Sequence, residues 1–127
     1  MDCLNKFIDV CHSNGWRQHG NTATLTLSGG RSQDIYLEAF IFDGEDMARI
    51  FTRVGPIAEL SEIQLNAVLG LNFSLPYGAL ACSGDDLVMA DTFLQREMDT
   101  DHLAFSMNFL AATADRYEQQ IYGKDEH

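Results

Sequence analysis

Basic residues are few. Eight Lys and Arg stand against nineteen Asp and Glu, a formal charge of -11 at pH 7, and Lys6, Arg17, Arg31, Arg49, Arg53, Arg96, Arg116 and Lys124 are scattered rather than clustered. Nucleic acid and anionic membrane are repelled by such a surface, which excludes both as partners. Proline occurs only twice, and no segment is rich in Pro, Gly or Ser, so nothing resembling a linker divides the chain. Cysteine occurs three times, an odd number without a disulfide framework. Cys3 and Cys11 on one helix would lie ~12 Å apart along it, too far to bridge, and reduced thiols are expected. Cys11, His12 and His19 lack the paired spacing of a zinc site. No apolar run approaches the ~20 residues that cross a bilayer, and MDCLNKFIDVCHSNGW has no basic region leading into an apolar stretch, so a cytoplasmic location is expected.

Catalytic signatures are missing too. There is no Gly-x-Ser-x-Gly elbow, no phosphate loop ending in Gly-Lys, and no His-Glu-x-x-His helix. Gly29-Gly30-Arg31-Ser32 reads as a turn, and His102 as a solvated residue in the first turn of a helix. No catalytic residue, metal or cofactor is expected.

What is present is a balanced soluble chain. Its 127 residues, 46% hydrophobic and 21% charged, suit a single domain over 1–127, long enough to bury about two thirds of the surface its unfolded form exposes. Leu4, Phe7, Ile8 and Cys11 fall at i, i+3, i+4 and i+7, the face of an amphipathic helix over residues 2–14 that Asn14-Gly15 stops. From Asn21 the period becomes two. Thr22, Thr24 and Thr26 alternate with Ala23, Leu25 and Leu27, Gly29-Gly30 turns the chain, and residues 33–43 make a second strand. Asp43-Gly44 is a hairpin signal before a third strand over Met47–Val54.

Ser61 with Gln64 three residues on has the form of a capping box for a helix over Ser61–Asn72. GALACS and DLVMADTFL then form another hairpin, and Asp99 or Thr100 caps a last helix reaching Tyr122, with Gly123 as its stop. The predicted order is αβββαββα: an α+β fold in which helices pack an antiparallel sheet.

The segment SGDDLVM sits in the second hairpin. Gly84 and Asp85 are the residues a tight turn favours. The competing reading is a two-carboxylate metal site at Asp85 and Asp86, which would need a further acid such as Asp46 or Asp91 and a basic surface for a polyphosphate. That surface is missing, so a small metal-dependent enzyme using Asp85 and Asp86 is the weaker alternative.

Hydrophobic residues outnumber the places one core offers. Ile35, Leu37, Ala39 and Ile41 point to one side of their strand while Tyr36, Phe40 and Phe42 point to the other, interrupted only by Glu38. Leu87, Met89 and Phe93 oppose Val88, Ala90 and Leu94 in the same way. Leu60, Ile63, Ala67 and Leu71 form one stripe of the middle helix and Leu65, Val68 and Leu69 another, which predicts burial from both sides. The last helix has a core stripe of Leu103, Met107, Leu110, Ala114, Tyr117 and Ile121, with Phe105, Phe109 and Ala112 opposite. Either the helices cover both sheet faces, or one face and the middle helix meet a second copy or another protein.

The element order, the acidic chain and above all LNAVLGLNFSLPYGALACSGDDLVMADTFL followed by an amphipathic helix resemble the class I (Tir) chaperones of type III secretion and the related YbjN-type bacterial domains. That resemblance implies a non-catalytic cytoplasmic homodimer holding an extended client segment on apolar surface, without ATP hydrolysis. It places the dimer contact at Ile63, Leu65, Val68 and Leu69, and client contacts at Tyr36, Phe40, Phe42 and Phe51, with Phe105 and Phe109 as a further apolar patch. Arg49 and Arg53 beside Phe51 make that surface more polar than the family pattern. A regulatory or assembly role on the same fold is the other reading.

Overall fold

A computed structural model describes residues 2–123; residue 1 and residues 124–127 of the expected 1–127 domain lie outside the described residues. The elements run α1 (Cys3–Asn14), β1 (Arg17–His19), β2 (Thr22–Thr26), β3 (Ser32–Phe42), β4 (Glu45–Pro56), α2 (Glu62–Leu71), β5 (Ala79–Ser83), β6 (Asp86–Leu94) and α3 (Thr100–Tyr117), the last extended by a wide turn over Glu118–Tyr122. The strands form one antiparallel sheet in the order β1-β2-β3-β4-β6-β5. The predicted α+β order holds, with one strand more than expected. β1 is only three residues of polar sequence, too short to show a period, and it exists because Gly20 and Asn21 fold it back onto Thr22–Thr24.

The caps follow the sequence. Ser61 Oγ accepts from the Gln64 amide at 3.2 Å while Gln64 Oε1 accepts from the Ser61 amide at 2.8 Å, closing the capping box that starts α2. Gly15 ends α1 at φ 70 and Gly123 ends the last turn at φ 73, left-handed conformations in which a Cβ is disfavoured. Asp43 at φ 53 and Gly44 at φ 78 make the two-residue loop between β3 and β4, as the Asp-Gly pair requires.

α1 and α3 cover one face of the sheet. Ile35, Leu37, Ala48, Ile50, Val54, Leu87 and Met89 are buried beneath Phe7, Val10 and Cys11 of α1 and Leu103, Met107, Leu110 and Ala114 of α3, in one contiguous core. The buried face of α1 is Cys3, Phe7, Val10 and Cys11, rotated from the expected stripe: Leu4 is exposed and Ile8 half-buried. Two polar groups in this layer are satisfied locally. Gln33 Nε2 donates to Thr52 Oγ1 at 2.8 Å and to the Arg53 carbonyl at 2.6 Å, and Thr52 Oγ1 donates to the Asp34 carbonyl at 2.6 Å.

α3 is fastened at two more points. Arg31 in the β2–β3 turn grips buried Asp115 with Nε at 3.0 Å from both carboxylate oxygens and a terminal nitrogen at 2.9 Å, a bidentate arrangement that fixes orientation as well as distance. Ser106 Oγ donates to Asp91 at 2.6 Å.

The middle helix departs from expectation. The two apolar stripes of α2 predict burial from both sides, yet Val68, 4% exposed, is its one buried residue. Leu65 and Leu71 are half-buried and Ala67 is exposed. The helix lies at the margin of the core beside β5, with Leu65, Val68 and Leu71 turned toward the core and Ile63 and Leu69 exposed.

Candidate binding surfaces

The open face of the sheet is assembled by register. Tyr36 pairs with Phe51, Glu38 with Arg49 and Phe40 with Met47 across β3 and β4, and Phe51, Arg49 and Met47 continue to Ala90, Thr92 and Leu94 of β6. Side chains alternate along a strand, so these rows share the face that α1 and α3 do not cover. The Tyr36 and Phe51 rings lie 5.4 Å apart. Arg49 sits 4.4 Å from the Phe40 ring centroid and donates to Glu38 at 2.7 Å, while Arg53 donates to Asp86 at 2.7 Å. The two arginines are thus held by carboxylates and, for Arg49, flattened over an aromatic ring, so they interrupt the apolar surface less than their charge suggests. A depression of 310 Å³ between Glu38, Arg49, Phe51, Ala81, Ser83 and Val88 occupies the middle of this face.

Four of the six residues expected to contact a client, Tyr36, Phe40, Phe42 and Phe51, belong to this face, with Phe42 exposed at the hairpin end. Phe105 and Phe109 do not. They stand on α3, on the opposite side of the sheet, where Tyr77 meets them edge-on at 5.2 and 5.7 Å and His102 lies between Tyr77 and Phe93. Phe105 is 50% exposed. The structure therefore divides the expected client residues between two surfaces. Tyr77, in the loop before β5, completes the second cluster and was missed from sequence because no period attaches to a loop residue.

Of the four residues expected at a dimer contact, Ile63 is 82% and Leu69 63% exposed. Leu65 is half-buried and Val68 belongs to the core cluster. Phe73, just past α2, is 98% exposed and extends the same outward stripe.

The carboxylates of the SGDDLVM hairpin do not converge on a metal. Gly84, at φ 58, and Asp85 form the turn between paired Ser83 and Asp86, and Asp86 is engaged by Arg53. Asp91 faces the helices and binds Ser106. Asp46 pairs with Ile41 at the far end of β4, whereas Asp86 pairs with Pro56; ten residues of strand separate them by ~33 Å. Among the described residues no group of three His, Cys, Asp or Glu side chains could hold a metal ion, and no helix is long and apolar enough to cross a membrane.

This geometry has relatives among solved structures. A chain of the ExsC–ExsE complex is similar, with a TM-score of 0.64 and 10% identity over 95% of this chain and 97% of that one. A chain of the HopA1–SchA chaperone–effector complex matches with a TM-score of 0.57 and 8% identity, over 87% and 88%. The chain shares the fold of type III secretion chaperones. At such identities the likeness is one of fold, and no protein-family model and no curated relative matches the sequence.

Proposed function

We propose that this chain is a non-catalytic, dimeric chaperone-like protein that holds an extended client segment on apolar surface, in the cytoplasm. The observation that carries the reading is the sheet face that α1 and α3 leave free, where the half-buried Tyr36, Phe40 and Phe51 form adjoining aromatic rows in a fold shared with a chain of a chaperone–effector complex. A globular chain gains by burying such rings, and helices that could have covered them lie on the other side. The client contacts are Tyr36, Phe40, Phe42 and Phe51, with Phe105 and Phe109 a second patch that one segment reaches only by passing around a sheet edge. Ile63, Leu65 and Leu69 supply the contact with a second copy, and Val68 anchors α2 beneath them. The acidic surface keeps the complex dispersed and favours client segments bearing basic residues.

The test is Phe40→Asp together with Phe51→Asp. Client retained on immobilised wild-type protein, and shown by protease sensitivity to be extended where bound, should be lost on the variant while its far-ultraviolet circular dichroism and urea midpoint stay near wild type. Unfolding of both single variants would make these rings core, and undiminished retention would move the client elsewhere.

A further inference from the structure

The sheet has two edges, and they are protected differently. β1 is three residues long and carries Arg17 and His19, and short charged edges resist pairing with another strand. β5 reads Ala79-Leu80-Ala81-Cys82-Ser83, uncharged and without proline, so its composition offers no such defence. α2 packs beside it, and one side chain holds its outward backbone groups. Asn72, in the single turn that follows α2, accepts from the Leu80 amide through Oδ1 at 2.7 Å and donates through Nδ2 to the Leu80 carbonyl at 3.1 Å. In an antiparallel ladder a residue's N–H and C=O point to the same side, alternating along the strand. Leu80 therefore turns both groups away from β6, and so, two residues on, does Cys82. Those two residues are the whole outward edge within β5, and the carboxamide occupies half of it with the donor and acceptor pattern of a neighbouring peptide group.

We propose that Asn72 is a plug that closes the β5 edge against strand pairing with the β5 edge of a second copy of this chain. The occupant it excludes is another copy because ALACS is the one uncharged edge in an otherwise acidic molecule, and antiparallel pairing of two such edges brings no like charges from the strands together. With the plug in place only the Cys82 groups remain, too little ladder to hold a strand; without it the edge presents Leu80 and Cys82 in succession, beside apolar and small side chains. This edge adjoins the outward stripe of α2 through Phe73, but the inference does not rest on the proposed client or dimer contacts.

The experiment compares wild type, Asn72→Ala and the double variant Asn72→Ala with Ala81→Lys by light scattering over a wide concentration range, with amide hydrogen exchange at Leu80. Asn72→Ala should reach about twofold the wild-type mass or more as concentration rises, and the added edge lysine should return it to the wild-type value. At low concentration, where assemblies are absent, the Leu80 amide of Asn72→Ala should exchange roughly fivefold to tenfold faster, the loss of one backbone-type hydrogen bond. Wild-type mass at every concentration would overturn the proposal. So would growth that Ala81→Lys fails to reverse, since that is the behaviour of a destabilised chain rather than an opened edge.

Discussion

Replacing Gly55 by alanine tests how the end of the chain is seated. Gly55 lies where the β4–β6 register slips, and a Cβ built there would stand 2.4 and 2.5 Å from ring carbons of Tyr122. Ordinary carbon contacts are ~3.5–4.0 Å, so the ring must retreat by about 1 Å or more. The retreat breaks the hydrogen bond that Tyr122 Oη donates to the Pro56 carbonyl at 2.9 Å. An overpacked contact costs about 1–3 kcal/mol and a neutral hydrogen bond about 1, while alanine returns about 0.5–1 by stiffening the unfolded chain. The net expectation is a loss of about 2 kcal/mol in urea unfolding. Tyr122 also reports on itself. Burial, the largest cause, followed by the nearby Glu59 carboxylate, pushes its phenol up to about 12, against an ordinary ~10. Because the folded-state value is the higher one, the associated stability is complete below pH ~10 and lost as pH rises toward 12. In Gly55→Ala the Tyr122 ionisation, isolated as the difference from Tyr122→Phe at 295 nm, should move back toward ~10. The decisive control is the double variant with Tyr122→Ala, in which the methyl group has room and adds little further cost. A Gly55→Ala protein with wild-type stability and an unmoved Tyr122 titration would show that the Tyr122 ring is not seated against Gly55.

Three further outcomes follow from the same geometry. Arg31→Ala takes the guanidinium from the buried Asp115 carboxylate, which keeps the Gln119 amide at 3.3 Å, and should cost about 3 kcal/mol, more than Asp115→Ala, which leaves a partly exposed guanidinium behind; equal costs in urea titrations would show that burial of the carboxylate is not what matters. Of the three thiols, exposed Cys82 should react with a disulfide reagent at native pH, while Cys3 and Cys11 wait for unfolding, since burial raises both and takes Cys11 to about 11; more than one fast thiol per chain would contradict the buried face of α1. Calorimetric titration with magnesium, manganese or zinc should show no saturable binding that Asp86→Asn removes, because that carboxylate is committed to Arg53.

The elements with a clean period or a cap were legible before the structure. The capping box at Ser61, the Asp43-Gly44 loop and the stripe from Leu103 to Tyr117 each state their conformation within a few residues, because local hydrogen bonding and one-sided burial decide them. What local pattern does not contain is which apolar face a neighbour covers. Ile35 and Tyr36 are adjacent bulky side chains on one strand, yet α1 and α3 cover the face that buries Ile35 and leave Tyr36 half-buried on the other. The same ambiguity hid the fate of α2: Val68 and Leu69 belonged to one stripe on paper, and the direction from which the core approaches buries the first and exposes the second. Asn72 carried no signal at all, since its role depends on where β5 passes eight residues later.

If the apolar surface left open by this fold serves other chains, the solution mass of wild type beside Leu69→Glu will show it. Light scattering over a hundredfold range of concentration should give twice the 14.2 kDa chain mass for the wild type and a folded monomer for the variant. A wild-type protein that stays monomeric throughout would rule out dimerisation through α2, because the exposed stripe of Ile63, Leu69 and Phe73 would then face water without a partner copy.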